Sequence, residues 1–234
     1  MEIIVLRISN YKDKDGIVEA INESGQMSFL VRGIFDPKSK NALLNNPLTI
    51  ADVELSESKG KYLNLKSSYL IESPINPLND LKYMASLMMI IEATNYLLSE
   101  EEKAEIYPLL KKIIYRLKNK ENPLIVVLDY LCKIIKISGY DFEINRCVNC
   151  GNKKNIVTFS FNEGGFICQN CYNASIPKLF NKNQMLLIRD SFSNSDIDDL
   201  HDLNDEEITF ILLKLTDFIF DSYGHKMKSI DLLK

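Results

Sequence analysis

Residues 147–171 read CVNCGNKKNIVTFSFNEGGFICQNC. Two CxxC pairs separated by seventeen residues have the spacing of a tetrahedral zinc site. Each tight CxxC turn aims two thiolates at one ion, and Zn²⁺ takes four such ligands. Gly151 relieves the first turn. The β-rich runs 156–161 and 166–168 fold back as a hairpin around Asn162-Glu163-Gly164-Gly165, which carries Cys168 and Cys171 onto Cys147 and Cys150. With four thiolates in place, no position is left for water or substrate, so one structural zinc ion is expected rather than a catalytic one. A zinc deaminase would need an HxE arm, and the histidines, His201 and His225, lie downstream of both pairs. Two other uses of the cysteines stay open: a pair of disulfides, disfavoured in a cytosolic protein, and a redox pair, which lacks a βαβ setting. Cys132 reads as a buried thiol on an apolar helix.

Upstream, the first 73 residues are punctuated into five β-rich runs: 3–8, 16–22, 26–34, 48–55 and 62–71. Alternation is clearest at Met27, Phe29, Val31 and at Ala51, Val53, Leu55. Turn signals at 13–16, Ser24-Gly25, Asp36-Pro37 and Lys59-Gly60 separate them. Five antiparallel strands in this length suit a small closed barrel such as an OB fold, which commonly binds oligonucleotides, although a ligand-free barrel or sandwich fits the same pattern.

Pro74 and Pro77 mark a boundary, after which the apolar period turns helical. Met84, Leu87, Met88 and Ile91 form one stripe, and the methionines Met84, Met88 and Met89 read as core. Ser99 and Glu102 form a capping box for a second helix that runs to about Lys120, with a kink at Pro108. Asn122-Pro123 opens a third helix, 124–137, apolar on nearly every side and therefore expected at the centre of a helical domain. A last helix, 205–223, repeats Ile208, Ile211, Leu212, Leu215, Phe218 and Ile219 on one face. The fold class expected is multi-domain α+β: a five-stranded OB-fold β-barrel over 1–73, then an α-helical domain over 74–234 carrying a four-cysteine zinc-finger insertion over 145–175.

Composition bounds the function. The 234 residues are 46% hydrophobic and 26% charged, ordinary for a globular chain with a sizeable core. The apolar stretch 85–91, interrupted by Ser86, is far short of the ~18 residues of a membrane span. The opening MEIIVLRISNY lacks a basic region followed by a long apolar run, so it does not read as a secretory signal, and a cytoplasmic protein is expected. The net charge of −4 hides opposite regional signs: 8 basic against 3 acidic side chains over 133–189, but 4 against 11 over 190–234. Any nucleic-acid contact must therefore use local patches. The sequence contains no GxxxxGK[ST], GxGxxG or GxSxG motif, which removes the usual support for nucleotide hydrolysis, dinucleotide binding or serine hydrolysis. The carboxylate runs 100–102 and 205–207 open helices, where they meet the positive end of the helix dipole. No enzyme is expected.

The order of these features resembles the RecO family of bacterial recombination mediators. The resemblance rests most on Gly139-Tyr140 leading to Cys147 and Cys150, on Phe159-Ser160, Gly164-Gly165, Cys168 and Cys171, and on a helix ending in YGHKMKS. EIIVLRISNYKDKDGIV and VRGIFDPKSK resemble the family opening. It implies an OB domain followed by a helical domain with a zinc-finger insertion. The function it implies is binding single- and double-stranded DNA, annealing complementary strands, and helping to load the recombinase RecA onto DNA coated by single-strand-binding protein. RecR and the C-terminal tail of the single-strand-binding protein are the implied partners, with association with the nucleoid during repair. The chain departs from the family over 33–40, GIFDPKSK, where Asp36 and two apolar residues replace much of the charge of a strongly basic segment.

Within the barrel, Lys12, Lys14, Arg32, Lys38 and Lys40 lie in or beside loops flanking the second and third strands, with Tyr11 and Phe35 among them as stacking platforms for bases. Arg146, Lys153 and Lys154, near the zinc pairs, are the alternative basic group. Two rival readings remain: a zinc-ribbon adaptor that docks on a replication or transcription complex without touching DNA, and an enzyme with an unrecognised zinc-supported site.

Overall fold

The computed structural model describes residues 1–57, 60–74, 80–193 and 202–233. Five strands, β1 (Glu2–Lys12), β2 (Asp15–Asn22), β3 (Gly25–Val31), β4 (Ile50–Ser56) and β5 (Leu63–Glu72), close into a barrel in the order β1-β2-β3-β5-β4. Neighbours are antiparallel except β3 and β5, which meet in parallel at Phe29–Leu63 and Leu30–Asn64. This is the OB arrangement. The alternating residues point inward as the period-two pattern requires: Ile3, Val5, Val18, Ala20, Phe29, Val31, Ala51 and Val53 form one buried core. The third strand ends at Val31, short of the expected 34, because Gly33 takes a positive φ and the chain turns toward a 3-10 helix, Lys40–Asn45, capped by the Ser39 hydroxyl.

Contacts divide the chain into two units, one of 1–80 with 94–120 and one of 81–93 with 121–234. The first unit adds to the barrel two helices, α2 (Glu100–Glu105) and α3 (Tyr107–Lys118), which follow α1 (Leu81–Tyr96) in the chain. The Ser99–Glu102 capping box is present. Pro108 breaks the helix rather than kinking it. The chain turns at Ile106 and restarts with the proline in the first turn, where its missing N–H costs nothing. The Glu2 carboxylate fastens α3 to β1, accepting from the Tyr107 hydroxyl and from Lys111 Nζ at 2.6 Å.

The second unit is built on α4 (Pro123–Ile137), which packs against α5 (Lys182–Phe192) and α6 (Asp205–Tyr223). The helix α4 is capped by Asn122 and buried from Leu124 to Cys132 along its whole girth, as its composition requires. Burial holds the Cys132 thiol well above its ordinary pKa, so it stays protonated and inert. Asp129, also buried, pairs with Lys133 one turn on at 2.8 Å. α6 buries the expected face and starts on a capping box between Asn204 and Glu207.

The expected methionine core is corrected. Met84 and Met88 are 42% and 47% exposed, whereas Met89 is buried. The face of α1 that packs carries Ala85, Ser86, Met89, Ile90, Ala93 and Thr94, small residues among them letting neighbours approach. The helix α5 is not expected from the apolar pattern, although Asn181 and Gln184 form its capping box. Pro77, Lys59 and His201 lie outside the described residues.

At the C-terminus, Glu92 on α1 gathers His225 Nε2 at 2.9 Å, the backbone N–H groups of Lys228 and Ser229, and the Ser229 hydroxyl. Burial alone would raise its pKa. The Ser229 hydroxyl and the two N–H donors outweigh that and hold the carboxyl below its ordinary value. A carboxylate held low in the folded state stabilises it above the ordinary glutamate pKa, and that contribution fades as pH falls through the lowered value. Protection of the amides over 229–233, relative to their intrinsic exchange, should therefore fall in acid, and Glu92→Gln should show low protection at neutral pH with a loss of about 1–2 kcal/mol. An exchange profile in the variant identical to that of the parent would remove this latch.

Candidate metal centre and nucleic-acid interface

The strands β6 (Ile156–Ser160) and β7 (Gly165–Cys168) form the expected hairpin, which returns the second CxxC pair to the first. Its turn is fixed from outside. Glu143 N–H donates to the Gly164 carbonyl and the Phe166 N–H donates to the Glu143 carbonyl, so the chain before the first knuckle lies flat on Gly165. A Cβ there would sit 2.4 Å from the Glu143 carbonyl oxygen, which only glycine avoids. A cluster of phenylalanines, Phe142, Phe159, Phe161, Phe166 and Phe180, anchors the hairpin with ring centroids 5.0–6.4 Å apart.

Both knuckles have backbone geometry that turns their sulfurs inward. Gly151, at φ 72°, lets its N–H reach the Cys147 carbonyl at 2.8 Å, and Tyr172 N–H reaches the Cys168 carbonyl at 2.9 Å. The four sulfurs of Cys147, Cys150, Cys168 and Cys171 all lie within 4.8 Å of one another, and all four are free thiols. Burial would raise the Cys147 pKa, but backbone donors at Cys168, Cys150 and Asn149 bring it down to about 6. The hydrogen bond with Cys150 pushes Cys171 up to about 12. One thiolate so close to three other sulfurs makes further ionisation costly unless a cation joins them. Four converging sulfurs of this kind can hold a metal ion, and the donor set is the one that zinc prefers.

Around the cysteines, Arg146 pairs with Glu143 at 2.7 Å and holds that carboxyl below its ordinary pKa. Lys153 and Lys154 are exposed on the first knuckle, and Lys178 sits 4.4 Å above the Tyr172 ring.

In the barrel, the seven sequence candidates fall into three groups. Tyr11 and Lys12 end β1, with Lys12 Nζ 5.6 Å from the Tyr11 ring centre. The Tyr11 ring meets Tyr62 edge-on at 6.4 Å, and Lys61 lies 5.5 Å from the Tyr62 ring, so the β1–β2 and β4–β5 connections bring two aromatic rings and two ammonium groups to one place. Lys61 and Tyr62 are absent from the sequence candidates. The signal for them is topological, because in an OB barrel these two connections flank one binding face. Lys14 pairs with Asp36 at 2.6 Å and keeps that carboxyl below its ordinary pKa, while Phe35 is half-buried against the barrel core. Arg32, Lys38 and Lys40 are arranged around the turn into the 3-10 helix, where Arg32 also offers its carbonyl to Asn41.

Comparison with known proteins decides the family. The model described as Recombination protein O N terminal matches residues 1–74, and that described as Recombination protein O C terminal matches residues 78–230. The chain belongs to the RecO family. Among RecO relatives, the DNA repair protein RecO of Clostridium perfringens (strain 13 / Type A) is 26% identical over 244 residues, covering 99% of this chain and 95% of its own. The DNA repair protein RecO of Thermoanaerobacter sp. (strain X514) is 29% identical over 175 residues, 74% of this chain and 70% of its own. That of Bacillus pumilus (strain SAFR-032) is 28% identical over 184 residues, 76% and 70%. Both RecO segments are thus represented, and the cysteine cluster falls inside the C-terminal match. Among the described residues, no helix is long and apolar enough to cross a membrane.

Proposed function

We propose that this chain is a non-enzymatic mediator of DNA repair and recombination that binds single- and double-stranded DNA and anneals complementary strands. With RecR, it would help load RecA onto DNA coated by single-strand-binding protein, whose C-terminal tail would dock on the helical domain. The working division is a barrel over 1–73 and a helical domain over 74–234, acting in the cytoplasm on the nucleoid. The supporting observation, beside family membership, is the platform of Tyr11 and Tyr62 flanked by Lys12 and Lys61. Bases stack on aromatic faces without regard to sequence, and nearby ammonium groups neutralise phosphate. Arg32, Lys38 and Lys40, at the turn into the 3-10 helix, would add further cationic contacts. Lys14 and Phe35 favour a lesser part, the first being engaged by Asp36 and the second by the core.

One structural zinc ion, held by Cys147, Cys150, Cys168 and Cys171, would clamp the finger over 145–175. When bound it supplies folding energy and no chemistry, since all four donors are protein sulfurs. Annealing needs only charge neutralisation: two strands repel through their phosphates, and a protein that covers part of that charge on both lowers the cost of their meeting. A stopped-flow assay with complementary labelled strands should show acceleration at low salt that is the same with and without ATP. A rate that requires ATP, or no acceleration at low salt, would favour the zinc-ribbon adaptor instead.

A further inference from the structure

The two tyrosines of the barrel platform stand at nearly a right angle. Tyr11, near the end of β1, and Tyr62, directly before β5, have ring centroids 6.4 Å apart and planes 81° from one another. We infer that this pair selects single strands whose bases unstack easily, oligo(dT) over oligo(dA), and that duplex does not seat on it. The inference rests on the DNA-binding reading above and adds to it a preference among strands.

The angle is built into the barrel. In the β1–β2 ladder Asn10 faces Gly16 and Lys12 faces Asp15, so Tyr11 is the extra residue of a bulge. A bulge bends its strand and re-aims the side chain it carries, and here that side chain is 47% exposed. On the other side, Tyr62 is tied to the sheet by its neighbour Leu63, which pairs with Phe29 of β3. Each ring also has its own cation: Lys12 Nζ lies 5.6 Å from the Tyr11 ring centre and Lys61 Nζ 5.5 Å from that of Tyr62. A strand bent across the two rings therefore meets an ammonium at each, where its phosphates need one.

A base stacked on an aromatic side chain lies parallel to its ring, and neighbouring bases in a stacked strand lie parallel to each other. Two bases on rings 81° apart cannot keep their mutual stacking, so the strand opens between them. Each ring alone takes any base, and the angle between the rings supplies the preference. Opening a step costs most where the bases stack best. Adenines stack strongly on one another and thymines weakly, so a thymidine run yields to the angle with the smaller loss. In a duplex, pairing would have to break as well, which leaves duplex to contacts with phosphate alone.

The test titrates the full chain with its metal against fluorescently labelled oligo(dT), oligo(dA) and a mixed-sequence duplex of equal length, at one salt concentration. Oligo(dT) should bind roughly threefold to tenfold more tightly than oligo(dA). Tyr11→Ala and Tyr62→Ala, each checked by a melting curve, should each bring the two strands toward parity, because a single ring imposes no angle, while duplex affinity stays at the parent value. Equal affinities for the two strands in the parent, a preference that survives in both variants, or a duplex affinity that falls with the rings would overturn the inference and leave DNA binding standing. Absence of binding to all three probes would overturn the DNA-binding reading and this inference together. The strand comparison in the parent needs no variant, and either ring variant alone answers the question of cause if the other fails to fold.

Discussion

Replacing Cys147 and Cys168 with serine should abolish zinc binding and unfold the hairpin β6–β7 with the chain that leans on it. Structural zinc contributes ~10–16 kcal/mol of apparent binding energy at neutral pH in small sites. That is comparable to the whole stability of a domain, ~5–15 kcal/mol. Both of these cysteines are buried, and a serine hydroxyl is a far poorer zinc ligand than a thiolate. The loss should spread through the phenylalanine cluster, because Phe159 and Phe166 are carried by the hairpin strands. Elemental analysis should find one zinc per chain in protein purified without chelator, and near-ultraviolet circular dichroism should flatten in the variant. Protein without zinc that shows an unaltered melting curve would refute the structural role.

Replacing Tyr11 and Tyr62 together with alanine should weaken single-strand binding by about 1–3 kcal/mol for each base that loses its stacking partner. The edge-on contact between the two rings means that each helps hold the other in place, so the double variant should lose less than the sum of the two single ones. Neither ring belongs to the buried barrel core, so the melting temperature should change little while affinity falls. Unchanged affinity in the folded double variant would move the contact to the knuckle, where Lys153, Lys154 and the Lys178–Tyr172 pair offer the same chemistry.

How much of the structure is legible in the sequence depends on how local each cause is. The cysteine pairs are legible because CxxC is a local geometric device, and the hairpin between them because Gly164-Gly165 leaves few other options. The barrel strands follow from period-two alternation around Phe29 and Val53. Pro108 misleads because a proline is tolerated in a helix only by kinking it or by starting it anew, and the Ile106 turn that decides between them has no strong signal of its own. Met84 and Met88 mislead because apolar character does not say which side of α1 meets a neighbour. The small residues Ala85, Ser86 and Ala93 mark the close-packed side instead. The helix α5 is short and mixed in charge, so its apolar stripe of Leu187, Ile188 and Phe192 does not stand out despite the Asn181–Gln184 capping box. For the aromatic pair on the barrel, local sequence points to Tyr11 and Lys12 but not to Lys61 and Tyr62. Their proximity is created by barrel closure, which joins connections far apart in the chain.

Direct DNA binding stands or falls on the salt dependence of affinity for a labelled single strand. If Lys12, Lys61, Arg32, Lys38 and Lys40 neutralise phosphates, log K should fall linearly with log salt, with a slope of about −0.7 for each phosphate contacted on a single strand. Replacing Arg32 and Lys38 with alanine should make that slope shallower by roughly 0.7 for each phosphate no longer neutralised and weaken binding alike for all sequences. A flat salt response in the intact chain would contradict the account and leave a protein-binding adaptor in its place.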